Sequence, residues 1–232
     1  MTNQVKVSVI MSAYNSEKFI DSAVNSIINQ TYKNLELIVM DDSSSDGTYN
    51  LLQNFEKKDN RLKVFKNKKN IGLTKSLNIL LQHTKGNLIA RQDDDDVSSL
   101  NRIQAQVDFM EKNRLDFCTT RAITIPNNKN RPGLSHYLPK KYLIKYKNPF
   151  IHGTLMIKKS VLESVGNYDE RFYYAQDYKL FYDLIKKDFR YKTINRNLYK
   201  LNIKGNLSEN KKQEQEYYAN CVIKNIEPEP IK

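Results

Sequence analysis

The sequence predicts an α/β protein built on a largely parallel sheet covered on both faces by helices. Three observations point there. Short β-branched runs alternate with apolar stripes at helical spacing as far as residue 98, the pattern of parallel strands joined by crossover helices. Those runs end in polar or acidic clusters, and open sheets of this kind bind ligands at the carboxyl ends of their strands. Beyond residue 120 the alternation weakens and prolines gather at 126, 132, 139 and 149, so a smaller and less regular region follows.

Residues 5–11 form the first expected strand, which ends at Ser12-Ala13-Tyr14-Asn15. Phe19, Ile20, Ala23, Val24, Ile27 and Ile28 then recur on one helical face. Residues 35–40 form the second strand, running into Asp41-Asp42-Ser43-Ser44-Ser45-Asp46-Gly47-Thr48, and the next helix turns Leu51, Leu52 and Phe55 inward. Residues 62–65 are the third strand. Asn70-Ile71-Gly72 turns into a helix carrying Leu73, Leu77, Leu80 and Leu81, and residues 87–90 behind Gly86 are the fourth strand. Right-handed crossovers gather Ser12, Asp42 and the acids after residue 92 along one edge. That edge is the expected crevice.

The second half reads as a strand over 115–120, a basic loop over 125–150 with a short helix near 141–146, a strand over 153–157 and a helix over 159–165. A helix behind Tyr173-Tyr174-Ala175-Gln176-Asp177 follows, with Leu180, Phe181, Leu184 and Ile185 inward. Two terminal strands are expected over 190–194 and 198–202, then a surface helix over 211–225 and a frayed tail over 226–232.

The run Arg91-Gln92-Asp93-Asp94-Asp95-Asp96 holds the chemistry. Four adjacent carboxylates repel one another unless a cation sits among them. On extended backbone, Asp93 and Asp95 would share one face, and oxygen ligands of that kind suit Mg2+ or Mn2+. A solvated acidic loop, or a cap formed by Ser98 and Ser99 before the stripe Leu100, Ile103, Val107, Met110, stays open on position alone. An EF-hand does not fit, because its glycine and glutamate positions fall on Ser98 and Gln104.

The chain has 232 residues, enough for one domain with a full core. A net charge of +12 favours anionic partners. Its two cysteines, Cys118 and Cys221, make no metal or redox spacing, which points to a reducing compartment. Residues 1–11 show no signal-peptide pattern and no apolar run approaches bilayer length. The expectation is a cytoplasmic protein, with loose contact to the anionic inner face of a membrane. Nucleic acid is not expected as a partner, since the lysines are dispersed and not interleaved with stacking aromatics.

No G-x-G-x-x-G or G-x-x-x-x-G-K-[ST] cradle is present, and only seven glycines occur. A carboxylate-held cation on a diphosphate is then the economical arrangement. At this point Val7-Ser8-Val9-Ile10-Met11-Ser12-Ala13-Tyr14-Asn15 closely resembles the opening of family 2 glycosyltransferases, which have the Rossmann-like GT-A fold. Glu36-Leu37-Ile38-Val39-Met40-Asp41-Asp42-Ser43 and Asn70-Ile71-Gly72-Leu73-Thr74-Lys75-Ser76-Leu77-Asn78 resemble that family's next blocks. Asp93 to Asp96 resembles its D-x-D motif, and Ile151-His152-Gly153-Thr154 and Ala175-Gln176-Asp177-Tyr178 its later H-x-T and E-D blocks. The resemblance runs from about residue 5 to about residue 190.

It implies an inverting transferase that moves a sugar from a nucleotide-diphosphate donor, UDP-linked, to a hydroxyl of a saccharide or lipid-linked saccharide, in cell-surface polysaccharide or lipopolysaccharide synthesis. It implies one GT-A domain over 1–225, with a nucleotide-sugar-binding half (1–98) and an acceptor-side half (99–225). Ser12, Ala13, Tyr14 and Asp42 would line the nucleoside pocket, with Lys75, Arg91 and Gln176 as further substrate contacts. Asp93 and Asp95 would hold Mn2+ or Mg2+, and Asp177 would be the general base. Two departures stand out: Gln176 replaces a Glu, and Tyr199-Lys200-Leu201-Asn202 lacks the late family histidine. The alternatives are a sugar nucleotidylyltransferase, whose Gly-rich basic loop is missing, and a non-catalytic basic module that binds nucleic acid. His152 reads as well as a packed structural histidine as it does a functional one.

Overall fold

The computed structural model describes residues 4–203 and 211–229. One sheet of nine strands organises it: β1 (Val7–Ala13), β2 (Leu35–Asp41), β3 (Leu62–Lys66), β4 (Leu88–Arg91), β5 (Val97–Ser98), β6 (Phe117–Ile125), β7 (Asn130–Arg131), β8 (Met156–Lys158) and β9 (Tyr191–Asn202). The order is β3-β2-β1-β4-β8-β6-β9-β5, with β7 hydrogen-bonded to β6. The β3-β2-β1-β4 half is wholly parallel. Antiparallel β8 joins it to a mixed half in which β6 and β9 run parallel.

Helices α1 (Ile20–Ile28), α2 (Thr48–Lys58), α3 (Leu73–Gln82) and α4 (Arg102–Asn113) connect the strands of the first part. The short α5 (Lys140–Leu143) and α6 (Lys159–Ser164) precede α7 (Gln176–Lys186) and α8 (Lys212–Lys224). Period-2 alternation splits β1 and β2 between two cores. Val7, Val9, Met11, Leu35, Leu37 and Val39 pack with Ile20, Val24, Ile27, Ile103 and Val107 on one face. Ile10, Ile38 and Met40 pack with Leu77, Leu80, Phe181 and Leu184 on the other. Each such side chain contributes roughly 1.5–3 kcal/mol on burial. No helix among the described residues is long and apolar enough to cross a membrane.

Several expectations need correction. A short β5 appears where only a cap was expected, and it pairs with β9 at the far end of the strand order. In a flat sheet β5 would lie roughly 19 Å from β4, yet a short, hydrogen-bonded turn joins them. The sheet must therefore curl until that edge returns over the end of β4. Leu100 is exposed and lies ahead of α4, outside its apolar stripe. The two terminal strands are one, β9, whose pairing with β6 skips Asn195 and Arg196 and then Leu198 at two register shifts. The first, polar interruption makes one strand read as two. The expected strand at 153 begins as a 3-10 turn, His152–Thr154, before β8. The tail is not frayed through residue 229: Arg171 pairs with Glu227, Pro228 is buried, and the Glu229 N–H donates to Tyr217 Oη at 2.9 Å. Residues 230–232 lie outside the described chain.

Candidate active site

β4 delivers the acidic run to the carboxyl edge of the sheet, where it folds as a turn and not as extended backbone. The Asp96 N–H approaches the Asp93 carbonyl at 3.4 Å. Buried Gln92 clamps both ends, its Nε2 donating to the carbonyls of Asp93 (3.0 Å) and Asp96 (2.9 Å). The alternation expected of extended backbone therefore does not apply, and each acid has its own protein partners while still acting on its neighbours. Asp93 pairs with the Arg91 guanidinium. Asp94 Oδ2 accepts the Tyr14 N–H at 3.1 Å, and Asp96 Oδ1 accepts the Asn202 N–H at 2.6 Å. Among the described residues Asp95 has only a long contact, from Asn202 Nδ2 at 3.4 Å.

Two buried guanidinium groups lie beneath the turn. Arg91 donates to the carbonyls of Ile10 and Gln92, both at 2.9 Å, besides Asp93. Expected as a substrate contact, it is 1% exposed and braces Asp93 through its guanidinium. Arg102 donates to the carbonyls of Gly153 (3.1 Å) and Arg91 (3.0 Å), tying α4 to the site. Two cations do not neutralise four acids. Burial, then the Asp94 and Asp93 charges, pushes the Asp95 carboxyl up to about 7. Burial pushes Asp94 up to about 6, and Asp96 is raised well above the carboxylate range by burial, Asp93 and Asp95. Asp96 Oδ2 is buried without a hydrogen-bond partner among the described residues.

This excess of negative charge fits a divalent cation. Among the described residues no three His, Cys, Asp or Glu side chains converge as a closed cage. An open site of one or two carboxylates completed by substrate phosphates is how Mg2+ is ordinarily bound. Asp95 is the acid least committed to protein partners.

The neighbouring strand ends meet at the same edge, as expected. The Asp42 N–H donates to the Ala13 carbonyl at 2.8 Å, and Asn15 exchanges hydrogen bonds with Ser44 and Ser45. Ser12 is partly exposed and Tyr14 about half exposed. Ala13 differs from expectation, for its methyl group is in the core and only its backbone faces the edge. Asp42 Oδ1 accepts from Asn67 Nδ2 (2.8 Å) and the Ile71 N–H (3.0 Å), and Oδ2 from the Gly72 N–H (2.8 Å). A carboxylate accepts about four such bonds, so one acceptor position remains among the described residues, on a side chain that is 2% exposed. These bonds set the start of α3, whose first turn carries exposed Lys75. Gly72 is needed there: its φ is +87°, and an added Cβ would stand 2.5 Å from the Tyr173 ring.

Across the turn lies Asp177, the second residue of α7, so it is not the helix cap weighed from sequence; that position belongs to Ala175. Its Oδ1 accepts the Tyr178 N–H and its Oδ2 accepts from Asn148 Nδ2, both at 2.7 Å. Burial first, then the Asp93 charge, pushes its carboxyl up to about 6, against the opposing pull of Arg91. Asp177 and the acidic turn thus share one electrostatic field. Gln176 is buried beside it. His152 shares a 2.8 Å hydrogen bond with Tyr168 Oη, and burial, then Arg91, lowers its pKa.

Sequence reading missed Gln92, Arg102, Asn148 and Tyr199. Asn202, noted only for the histidine it replaces, turns out to touch two of the four acids. Gln92 and Arg102 flank the acidic run at helical and strand offsets that carry no motif of their own. Tyr199 Oη accepts the Asp93 N–H at 3.1 Å, and Gly153 leaves it room. An added Cβ at Gly153 would collide with Tyr199 Oη and stand 2.5 Å from Asp93 Oδ2. Gly153→Ala is therefore expected to cost about 1–3 kcal/mol by overpacking. Urea unfolding checks this, and an unchanged midpoint would show that Tyr199 can move aside.

Comparisons with known proteins agree with this geometry. A family model described as Glycosyl transferase family 2 matches residues 8–166. EpsE of Bacillus subtilis, provisionally named a glycosyltransferase, is 34% identical over 206 residues, covering 87% of this chain and 74% of its own length. The UDP-Glc:alpha-D-GlcNAc-diphosphoundecaprenol beta-1,3-glucosyltransferase WfgD of Escherichia coli is 37% identical over 122 residues, 53% of this chain and 47% of that protein. The solved structure of the mannosyltransferase PcManGT from Pyrobaculum calidifontis, in complex with GDP-Man and Mn2+, superposes with a TM-score of 0.76 at 17% identity. That match covers 99% of this chain and 67% of the other.

Proposed function

Because the chain belongs to glycosyl transferase family 2 and has the GT-A fold, we propose that it is an inverting transferase. It would move a sugar from a nucleotide-diphosphate donor, UDP-linked, to a hydroxyl of a saccharide or lipid-linked saccharide during cell-surface polysaccharide synthesis. The observation that carries this reading is the juxtaposition of Asp177 with the acidic turn. The Asp177 carboxyl, pushed up to about 6, and Asp93 of the under-neutralised turn lie close enough to act on each other and on Tyr168. WfgD, with its UDP-linked donor and lipid-diphosphate acceptor, supports the substrate classes.

In this reading Ser12, Tyr14 and the backbone at Ala13 bound the nucleoside, and the remaining acceptor position of Asp42 takes a base N–H. Asp95, with Asp93 braced by Arg91, would hold Mn2+ or Mg2+ against the diphosphate. A cation there supplies Lewis-acid stabilisation of the leaving diphosphate. Lys75, at the mouth, adds positive charge for the phosphates. Asp177 takes the proton of the acceptor hydroxyl as that oxygen bonds to the anomeric carbon and the bond to the diphosphate breaks. Asn148 holds the carboxylate in place, and its burial makes it a stronger base than an exposed Asp.

The test is a panel of UDP-hexoses, UDP-N-acetylhexosamines and GDP-mannose incubated with Mn2+ or Mg2+ or with chelator. Metal-dependent release of nucleoside diphosphate from one UDP-sugar is expected. Release only from GDP-mannose would overturn the donor assignment, and no release from any donor would overturn the activity.

A further inference from the structure

The segment between β6 and the 3-10 turn at His152 plays no part in the crevice chemistry described so far, apart from Asn148. It is nevertheless rigidly built. Lys140 Nζ donates to the carbonyls of Ser135 (2.8 Å), His136 (2.6 Å) and Leu138 (3.2 Å). Ile144 is buried in the core, and Tyr178 Oη donates to its carbonyl at 2.7 Å. Pinned in this way, the segment turns apolar side chains outward: Leu134 is 88% exposed and Tyr146 76%, with Tyr137, Leu138 and Tyr142 also exposed. Tyr142 and Tyr146 are four residues apart on one continuous turn, as the hydrogen bonds from Ile144 N to Lys140 O and from Lys147 N to Leu143 O show. Isolated exposed apolar residues are ordinary, but a cluster on a fixed platform marks an interaction site.

The charge carried by the segment itself has one sign. No Asp or Glu occurs between Asp116 and Glu163. Lys129, Arg131, Lys145 and Lys147 are exposed and have no acidic partner among the described residues, and Lys141 reaches out to Asp188 at 3.1 Å. We infer that this face, Leu134, Tyr137, Leu138, Tyr142 and Tyr146 ringed by lysines, docks the protein on the surface of an anionic lipid bilayer. Tyrosine suits the boundary between headgroups and acyl chains, and lysines beside it meet anionic headgroups.

Other occupants fit less well. A two-fold contact with a second copy would set the same lysines against each other. Nucleic acid would stack on the tyrosines but would leave Leu134 and Leu138 against water. The face adjoins the crevice, because Asn148, one residue beyond Lys147, donates to Asp177. A bilayer-held acceptor would therefore reach the base without detachment. That last consequence rests on the proposed transfer; the docking itself does not.

The test is flotation with phosphatidylcholine vesicles containing about one-third phosphatidylglycerol, at 0.05 M and 0.5 M salt, beside vesicles of phosphatidylcholine alone. The wild-type chain is expected to float with the anionic vesicles at low salt and to be largely released at high salt. Lys129→Gln, Lys145→Gln and Lys147→Gln together should weaken binding on the order of 100-fold. Leu134→Ser, Tyr142→Ser and Tyr146→Ser together should weaken it on the order of tenfold or more. All six positions are exposed, so unchanged melting of both variants confirms that folding is intact. Failure of the wild type to float at low salt overturns the inference, as does equal flotation of both variants. Retention on an oligonucleotide, or dimerisation lost in the serine variant, with no flotation in either case, also overturns it. Flotation is scored without donor or acceptor, so an inert chain that floats leaves the docking inference standing and sinks only the transfer.

Discussion

Asp177→Asn is expected to lower sugar transfer by roughly 10²- to 10⁴-fold, the usual size of a general-base contribution, with little change in metal-dependent UDP binding. The Asn oxygen can still accept one of the two hydrogen bonds that Asp177 accepts, from Asn148 or from the Tyr178 N–H. The structural cost is then about one hydrogen bond, roughly 1 kcal/mol. Wild-type activity should also carry an acidic limb. The carboxyl sits at about 6 because burial disfavours its charge, and only the ionised form can take a proton. With Mn2+ saturating at every pH, so that Asp95 stays ionised, transfer should fall as pH drops through about 6, and the residual activity of the Asn variant should lack that limb. Rates measured from pH 5 to 8 check both points, alongside UDP thermal shifts with Mn2+. Undiminished transfer by the variant, or a limb that survives the substitution, would remove Asp177 from the role of base.

Much of this site was legible because strand ends are legible. The β-branched runs before Ser12, Asp42 and Asp93 locate three parallel strands, and handedness then brings their ends to one edge. The geometry within the acidic run was not legible. Alternation holds only on extended backbone, and Gln92 closes a turn through carbonyl contacts that no side-chain pattern records. The part Arg91 plays inside the fold was hidden for a related reason. The resemblance offers it as a substrate contact, and its buried bonds to the Ile10 carbonyl and Asp93 leave no mark in the sequence. Likewise β5 is two residues long and gains its partner only when β9 returns from a hundred residues later. Asn148 reaches Asp177 across a shorter gap, 29 residues, that still spans several elements. Such long-range pairings are products of tertiary closure, and local periodicity carries no trace of them.

Asp95→Ala is expected to abolish the part of UDP stabilisation that depends on a divalent cation. With UDP and Mn2+ at about 100 times their apparent Kd, binding should stabilise the wild type by about 2.7 kcal/mol. For a chain of this size that corresponds to roughly 5–10 °C in Tm. In chelator the shift should be small, and in the variant it should be small with or without metal. The substitution should act oppositely on the metal-free protein. The Asp95 carboxyl holds its proton up to about 7 in the fold, against its ordinary value of 3.8. Its charge therefore costs stability as pH rises through that window, in full above about 7. Removing it relieves that cost, so metal-free Asp95→Ala should melt at or above the wild type at pH 8 and lose the advantage near pH 4. A site that is destabilised by its own charge until a cation arrives would show both effects at once. Retention of the full Mn2+-dependent shift by the variant would exclude Asp95 as the cation's anchor. A metal-free variant that melts well below the wild type at pH 8 would show instead that the carboxylate supports the turn through Asn202.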